Sequence, residues 1–159
     1  SATGPTLPTN YDYKRLIGSV LTDGSANIKA FLHSGDYFRY LSPAVDVSDS
    51  SLTSDTFVTG TMSVPPLCLA HIYGKGANTA SSTSVDVWIK TKGAGETGGD
   101  ENTAFIATNG GGTTDLMVAI GFVMVDSSKQ VEYAATEDGG TASIVIETLG
   151  FVMLTRDNP

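Results

Sequence analysis

The sequence is poor in the two residue types that most often bind metals or form covalent links. Its 159 residues include one cysteine, Cys68, and two histidines, His33 and His71. A single cysteine excludes an internal disulfide, and the apolar neighbours of Cys68 favour a small buried residue over a reactive thiol. Neither histidine lies in an H-E-x-x-H, H-x-H or cysteine-rich pattern, so we predict that the chain has no metal site.

Positive charge is also scarce. Lysine and arginine together number 9, against 17 aspartates and glutamates, which gives a formal net charge of -8. Nucleic acids and anionic membrane surfaces attract basic patches, and the sequence has no basic cluster. The apolar run at residues 116–125 is too short for a membrane-spanning helix, which needs about 20 apolar residues. We therefore predict no nucleic-acid partner and no membrane insertion.

Motifs of known chemistry are absent as well. The sequence contains no G-x-S-x-G elbow and no EF-hand loop, and the three glycines at 110–112 lack the Gly-Lys-Ser/Thr of a P-loop. Carboxylates at 100–102 or 136–138 could contribute to a calcium site, and two distant carboxylates could form a glycosidase pair. Solvated turn residues are the simpler interpretation. We predict a protein that is not an enzyme, has no catalytic residues and uses no cofactor.

The segment that dominates the sequence is the apolar run Leu-Met-Val-Ala-Ile-Gly-Phe-Val-Met-Val at 116–125, enclosed by Asp115 and Asp126. Strand alternation places Ile120 and Phe122 on one face and further apolar residues on the other. Because both faces are apolar, both must be covered, and we predict the central strand of a β-sandwich. An Ile120→Asp substitution would then bury an unpaired carboxylate and unfold the domain.

The rest of the sequence is typical of an all-β protein. Clusters of Gly, Ser, Thr and Asp separate short apolar runs, and no stretch has a convincing helical period. Asp23-Gly24 between two such runs predicts a hairpin over residues 13–33. Residues 1–10, which contain two prolines, are predicted to form an extended arm or linker. We predict an antiparallel β-sandwich, jelly-roll-like with about ten strands, as a single domain over residues 11–159.

Aromatic side chains give the best indication of binding, because they combine a flat apolar face with a polar edge. In residues 36–41, alternation places Tyr37 and Arg39 on one face, while Phe38 and Tyr40 share the other. Most of the tyrosines are expected in the core or at a subunit interface. Tyr37 and Tyr40 are nevertheless kept as candidate ligand contacts.

The only tryptophan is predicted on a polar face. In residues 84–92, alternation directs Val87 inward and Trp88 outward, so Trp88 belongs either to an oligomer interface or to an exposed ligand platform. Glycine-rich loops at 93–101 and 109–114 are candidate recognition surfaces. The candidate ligand-binding residues are Trp88, Tyr37, Tyr40, Asp100 and Asn109.

Two segments in the first third of the chain, residues 5–28 and 35–47, carry a recognisable pattern. Its more specific parts are Lys14-Arg15-x-Ile17-Gly18 and Thr22-Asp23-Gly24-Ser25. The pattern resembles one that recurs near the C-termini of bacteriophage and prophage virion proteins, especially tail fibres and tail spikes, and it covers about a quarter of this chain. It includes no catalytic signature that could be carried over.

The resemblance implies a virion protein on the phage tail or capsid surface, most specifically the receptor-binding or tip domain of a tail fibre or spike. Such a domain would be a homotrimer. The resemblance does not name a ligand, and we predict that the partner is a glycan of the host cell surface or another virion protein. Several copies side by side would compensate for weak binding at each site. Two alternatives stay open: a capsid decoration or head-fibre protein, and a fragment of a polysaccharide depolymerase.

Overall fold

The computed structural model describes residues 21–22, 25–52, 56–78, 85–95, 106–109, 117–137 and 142–154. Within these residues the chain forms nine β-strands and no helix. In chain order the strands are β1 (Phe31–Ser34), β2 (Tyr37–Leu52), β3 (Val58–Thr61), β4 (Leu69–Asn78), β5 (Val85–Thr91), β6 (Ile106–Asn109), β7 (Met117–Met124), β8 (Gln130–Glu137) and β9 (Ala142–Val152). The predicted arm at 1–10 and much of the predicted hairpin at 13–33 lie outside the described residues.

The nine strands form two antiparallel sheets. One sheet has five strands in the order β1-β2-β9-β4-β7, and the other has four strands in the order β3-β8-β5-β6. Every pairing between neighbouring strands is antiparallel. The prediction of an all-β, sandwich-like protein with antiparallel sheets is therefore confirmed.

A hydrophobic core joins the two sheets. The five-stranded sheet contributes Ile72, Ile146 and Phe151, and the four-stranded sheet contributes Ile89 and Val131, all almost completely buried. Because side chains alternate along a strand, each sheet has an inner face toward this core and an outer face on the opposite side.

The turn after β1 fits its sequence. β1 and β2 form a hairpin around Gly35, whose φ is 57°. A positive φ costs glycine little, because glycine has no Cβ. Further upstream, an antiparallel bridge joins Thr22 to Ile28, on either side of the predicted Asp23-Gly24 turn. The described part of the predicted 13–33 hairpin is thus consistent with a reversal of the chain there.

The predicted central position of the apolar run at 116–125 is wrong. Its strand, β7, lies at the edge of the five-stranded sheet and pairs only with β4 among the described strands. Val123 faces the core, whereas Ile120 is 60% exposed and Phe122 is 49% exposed on the outer face. The predicted alternation is correct, but no described segment covers that outer face. The central place belongs to β9, between β2 and β4.

Strand β9 comes unusually close to β2 at one position. A Cβ added to Gly150 would overlap the backbone carbonyl oxygen of Phe38, so only glycine fits there without a shift of the backbone. The pairing with β2 becomes irregular just beyond this point, between Arg39 and Ala44. On the outer face, Gly150 therefore leaves a gap without a side chain between its paired residues, Arg39 of β2 and His71 of β4.

Candidate binding site

The outer face of the five-stranded sheet carries a cluster of rings beside a cation. We call Tyr37, Arg39, His71 and Phe122 the outer cluster. Strand pairing aligns Arg39 of β2 with Gly150 of β9, Gly150 with His71 of β4, and His71 with Phe122 of β7. Tyr37 lies two residues before Arg39, on the same face of β2. Four strands that are distant in the chain thus bring these side chains together.

The three rings of the outer cluster are in contact. The His71 ring stacks on Phe122, with 4.6 Å between ring centroids and 16° between planes. Tyr37 approaches both rings, with centroids 5.7 Å from His71 and 6.5 Å from Phe122. The Tyr37 hydroxyl oxygen lies 2.7 Å from Nδ1 of His71. The result is a continuous aromatic surface that ends at the exposed Phe122 on the sheet edge.

The hydrogen bonds around His71 indicate its tautomer. Nη1 of Arg39 lies 3.5 Å from Nδ1 of His71, and a guanidinium can only donate. Nδ1 is therefore the acceptor, the Tyr37 hydroxyl donates to it, and the ring proton is on Nε2. Burial, followed by the nearby charge of Arg39, lowers the pKa of His71. The imidazole is accordingly neutral at neutral pH.

Charges on the outer face are unevenly paired. Lys75 and Glu147 form an ion pair, with Nζ 2.9 Å from Oε1. Arg39 has no carboxylate within ion-pair distance in the part of the chain that the structure describes. Arg39 therefore gives the outer cluster a positive local charge, in a chain whose formal net charge is -8.

Two predicted ligand contacts, Tyr37 and Tyr40, differ in their exposure. Tyr37 lies half-buried on the outer face, within the outer cluster. Tyr40 is only 3% exposed, and its hydroxyl donates to the carbonyl oxygen of Ser63 at 2.7 Å. Burial is the main reason that the pKa of Tyr40 is raised. As an accessible ligand contact Tyr40 is thus a wrong prediction, although its alternation with Tyr37 is correct.

The predicted exposure of Trp88 is also wrong. Its side chain is 4% exposed, although it points away from Val87 and Ile89 of the core, as the alternation predicts. On the same face Lys90 donates to the carbonyl oxygen of Ala94 at 2.9 Å and lies 4.0 Å from the centre of the Phe57 ring. The outer face of the four-stranded sheet is therefore covered around β5, which alternation alone does not reveal.

The other two predicted ligand contacts, Asp100 and Asn109, are not fully described by the structure. Asp100 lies outside the described residues. For Asn109 the backbone is described, paired with Val85 between β6 and β5, but its side chain is not. Both stay candidates on sequence grounds alone.

Three members of the outer cluster, Arg39, His71 and Phe122, were not among the predicted site residues. The sequence contained a partial signal, because alternation predicts that Arg39 shares a face with Tyr37 and because the run containing Phe122 is apolar on both faces. The contact between Tyr37 and His71 has no local signal. It depends on β9, which lies between β2 and β4 in the sheet and comes from the end of the chain.

A second polar cluster has a structural role. The Asp46 carboxylate accepts hydrogen bonds from the backbone N–H of Ser63 at 2.8 Å, from the Ser63 hydroxyl at 2.5 Å and from the hydroxyl of Thr148. Thr148 is completely buried. The cluster ties β2 and β9 to the segment after β3, and each of its contacts satisfies a polar group that would otherwise be unpaired. No histidine takes part in it, so the cluster is not a Ser-His-Asp arrangement.

Cys68 has the environment expected of a structural residue. It is buried, and its thiol donates to the carbonyl oxygen of Pro65 at 3.1 Å. Burial raises the pKa of Cys68 to about 12. The thiol is therefore protonated at neutral pH and unreactive, since the thiolate is the nucleophile. The interpretation of Cys68 as a small buried residue is confirmed.

Other classes of site were sought in the described residues. They contain no group of three or more His, Cys, Asp or Glu side chains arranged to hold a metal ion. They form no helix with the length and apolarity needed to cross a membrane. No protein-family model matches the chain, and the search of curated proteins finds no significant match.

Proposed function

We propose that this chain is an attachment domain of a bacteriophage virion, the receptor-binding or tip domain of a tail fibre or spike, and that it recognises a glycan of the bacterial surface. The observation that carries the proposal is the outer cluster, where stacked rings end in the exposed Phe122 beside an arginine without a described ion pair. Sugar rings bind to aromatic faces through their C–H groups and to polar edges through their hydroxyls.

The strand order supports the proposal at the level of the fold. The neighbours β2-β9-β4-β7 in one sheet and β3-β8-β5-β6 in the other are the order expected of a jelly roll, in which two Greek keys wrap around each other. We propose that the domain is a jelly roll with β1 as an added strand. Viral capsid proteins and lectins both use this fold, but the fold by itself does not determine function.

Self-association is part of the same proposal. A homotrimer would place three outer clusters on one particle and increase weak binding through avidity. Exposed apolar side chains outside the outer cluster, such as Leu41 and Val45 of β2, are available for contacts between copies. Trp88 is buried and gives no support. Light scattering tests the trimer: we expect a mass about three times that of the 16.5 kDa chain, and a single-chain mass that persists on concentrating would contradict it.

The alternative of a capsid decoration or head-fibre protein is favoured by one observation. β7 presents apolar side chains at a sheet edge, and exposed strand edges and apolar patches commonly contact other proteins. Immunogold imaging of intact particles with an antibody to this chain separates the two functions. Label at the distal end of the tail supports attachment, and label distributed over the capsid supports decoration.

Binding to bacteria tests the attachment function directly. The labelled chain and its Phe122→Ala variant are incubated with a panel of bacterial strains and with immobilised bacterial glycans. We expect the variant to lose at least tenfold in binding on any target recognised by the parent chain, because the exposed end of the aromatic surface is removed. Leu154→Ala is the matched control, since Leu154 has a similar exposure of 45% at a position outside the outer cluster. Equal losses in both variants would contradict a site at Phe122.

Glycan cleavage tests the enzyme alternative. Incubation of the chain with the same glycans, followed by size analysis of the products, distinguishes binding from hydrolysis. We expect glycans of unchanged length, and shortened products would establish a depolymerase instead.

A further inference from the structure

The charge of the outer cluster points to a class of ligand. We propose that it binds an acidic oligosaccharide, with the carboxylate of one sugar on Arg39 and a neighbouring sugar ring stacked on Phe122. The inference rests on the proposed attachment function and adds the chemistry of the receptor to it. It is carried by three features of the described structure: an arginine without an ion pair, a neutral histidine, and a row of the sheet that lacks one side chain.

Arg39 is the positive group that a ligand carboxylate would meet. It has no carboxylate partner in the described part of the chain, although the whole sequence has 17 acidic residues. Its contact with His71 uses Nη1 alone, at the long distance of 3.5 Å from Nδ1. A guanidinium has five N–H donors in a planar fork that matches a carboxylate with two parallel hydrogen bonds. Arg39 therefore has donors left for a bidentate contact.

His71 contributes a neutral hydrogen-bond donor in place of a second charge. Its Nδ1 accepts from Tyr37, so its proton is on Nε2. Within the described residues no partner of Nε2 is seen, which leaves this N–H for a hydroxyl of the sugar. Lys75 lies further along the same strand, but it is paired with Glu147 and adds little net charge. The positive charge of the surface is thus concentrated at one end, on Arg39.

The spacing of the row sets the length of the ligand. From Arg39 through Gly150 and His71 to Phe122 there are three inter-strand steps, and neighbouring strands are about 4.8 Å apart, so the row extends about 14 Å. Gly150 presents no side chain between Arg39 and His71. The side chains are closer together than their backbones, since Nη1 of Arg39 lies 3.5 Å from Nδ1 of His71 and the His71 and Phe122 ring centroids are 4.6 Å apart. The His71 ring still separates Arg39 from the exposed face of Phe122, so we assign the carboxylate and the stacked ring to neighbouring sugars.

A second copy of this chain is the competing occupant, since an acidic protein could also supply a carboxylate to Arg39. The cluster is better suited to a sugar, because the face of Phe122 that is not stacked on His71 lies at the exposed sheet edge, with the donors of Arg39 and His71 beside it. An interface between two proteins usually has a hydrophobic centre that excludes water, in addition to any charged contact. The test includes the self-association outcome.

The experiment compares each acidic glycan with its neutral counterpart. Bacterial oligosaccharides that contain uronic or nonulosonic acids are immobilised beside the same oligosaccharides after reduction of the carboxylate to an alcohol. We expect the 159-residue chain to bind at least one acidic glycan and to lose tenfold or more in affinity for its reduced form. Arg39→Gln should lower binding of the acidic glycan to the level of the reduced one, and Arg39→Lys should keep part of the difference because it retains the charge without the fork.

Lys129→Gln serves as the control, because it removes the same charge in the turn between β7 and β8 and should leave the preference unchanged. Circular dichroism confirms that each variant is folded. Equal affinity for acidic and reduced glycans would overturn the inference while leaving the attachment function in place. Failure to bind any glycan or any bacterium would overturn both. A decrease in the light-scattering mass of Arg39→Gln would show that Arg39 contacts a second copy, and would overturn the acidic-sugar assignment.

Discussion

β7 and β9 are both apolar strands of the five-stranded sheet, yet they occupy opposite positions in it. β9 carries polar residues on its outer face, such as Ser143 and Glu147, and lies in the middle of the sheet between β2 and β4. β7 is apolar throughout and lies at the edge. The apolar sequence of β7 predicts that both of its faces are covered. No described segment covers its outer face, where Ile120 and Phe122 are exposed.

The two strands show that a residue can be apolar for two different reasons. A residue of β9 such as Ile146 is apolar because it fills the core. Ile120 and Phe122 of β7 face outward and are exposed, so their apolarity gives nothing to the core described here. An exposed apolar face on a strand edge is instead the property of a surface that contacts a ligand or another protein. The uniform run therefore forms an exposed apolar surface, which we propose as part of a binding face.

The sharpest test of this contrast is a pair of aspartate substitutions. Ile146→Asp places a carboxylate in the core without a partner, so we expect a loss of several kcal/mol, enough to unfold a typical domain. Ile120→Asp places the same group on an exposed position, and we expect a loss of about 1 kcal/mol or less, mainly from strand propensity. Urea denaturation followed by tryptophan fluorescence measures both. Similar losses in the two variants would show that the outer face of β7 is covered after all.

A pair of glycine substitutions tests the close approach of β9 to β2. Gly150→Ala adds a methyl group that overlaps the Phe38 carbonyl oxygen, so the backbone must move, and we expect a loss of about 3 kcal/mol. Gly35→Ala meets nothing within 4 Å and should cost about 1 kcal/mol, from its positive φ alone. Thermal unfolding of both variants gives the ranking. If Gly35→Ala is the more destabilising of the two, the approach of the strands is not as tight as described.

A smaller effect is expected from the buried polar side of β9. Thr148→Val removes the hydroxyl that donates to Asp46 and keeps the shape of the side chain. The Asp46 carboxylate still accepts from Ser63, so we expect a loss of about 2 kcal/mol, since a hydrogen bond to a charged group contributes about 1.5–3 kcal/mol. Thr59→Val on the exposed side of β3 is the control, and its stability should stay within about 0.5 kcal/mol of the parent chain. A Thr148→Val variant as stable as this control would mean that the Asp46 cluster adds nothing to the fold.

Much of the fold could be predicted from the sequence, because strand alternation and turn chemistry are local. The shared face of Phe38 and Tyr40, the alternation within the 116–125 run and the turn at Gly35 all follow from neighbours in the chain. Sheet order does not, since it depends on which distant strands pair. The predictions of a central position for β7 and of an exposed Trp88 were wrong for that reason.

The candidate site was less predictable than the fold. Tyr37 was identified, because an aromatic residue beside Arg39 on one strand face is a local pattern. His71 and Phe122 join it only through the register of β9 with β2 and of β4 with β7. Tyr40 and Trp88 were chosen for the same reason as Tyr37, because they are aromatic side chains with a polar edge. Only their burial in the structure distinguishes them from Tyr37. A candidate binding face built across four strands therefore leaves little trace in the sequence of any one strand.

The smallest expected effect concerns the pH dependence of stability, which the outer cluster should alter. The folded state lowers the pKa of His71, first through burial and then through Arg39, whereas an unfolded histidine has a pKa of about 6.5. As the pH falls through that value, the unfolded chain binds a proton that the folded chain does not, so stability decreases until the pH passes below the folded pKa. Above the unfolded pKa the contribution is fully present.

Urea midpoints measured between pH 8 and pH 5 should therefore decline less in His71→Gln than in the parent chain. Arg39→Gln should reduce the decline in part, because it removes the second cause of the shift and leaves the first. Tyr37→Phe is the control, since it keeps the ring that buries His71 and should keep most of the decline. The cluster is half-exposed, and the whole difference is accordingly expected to be smaller than that of any substitution above. If His71→Gln and the parent chain follow the same curve, burial and Arg39 do not lower the pKa of His71 in the folded chain.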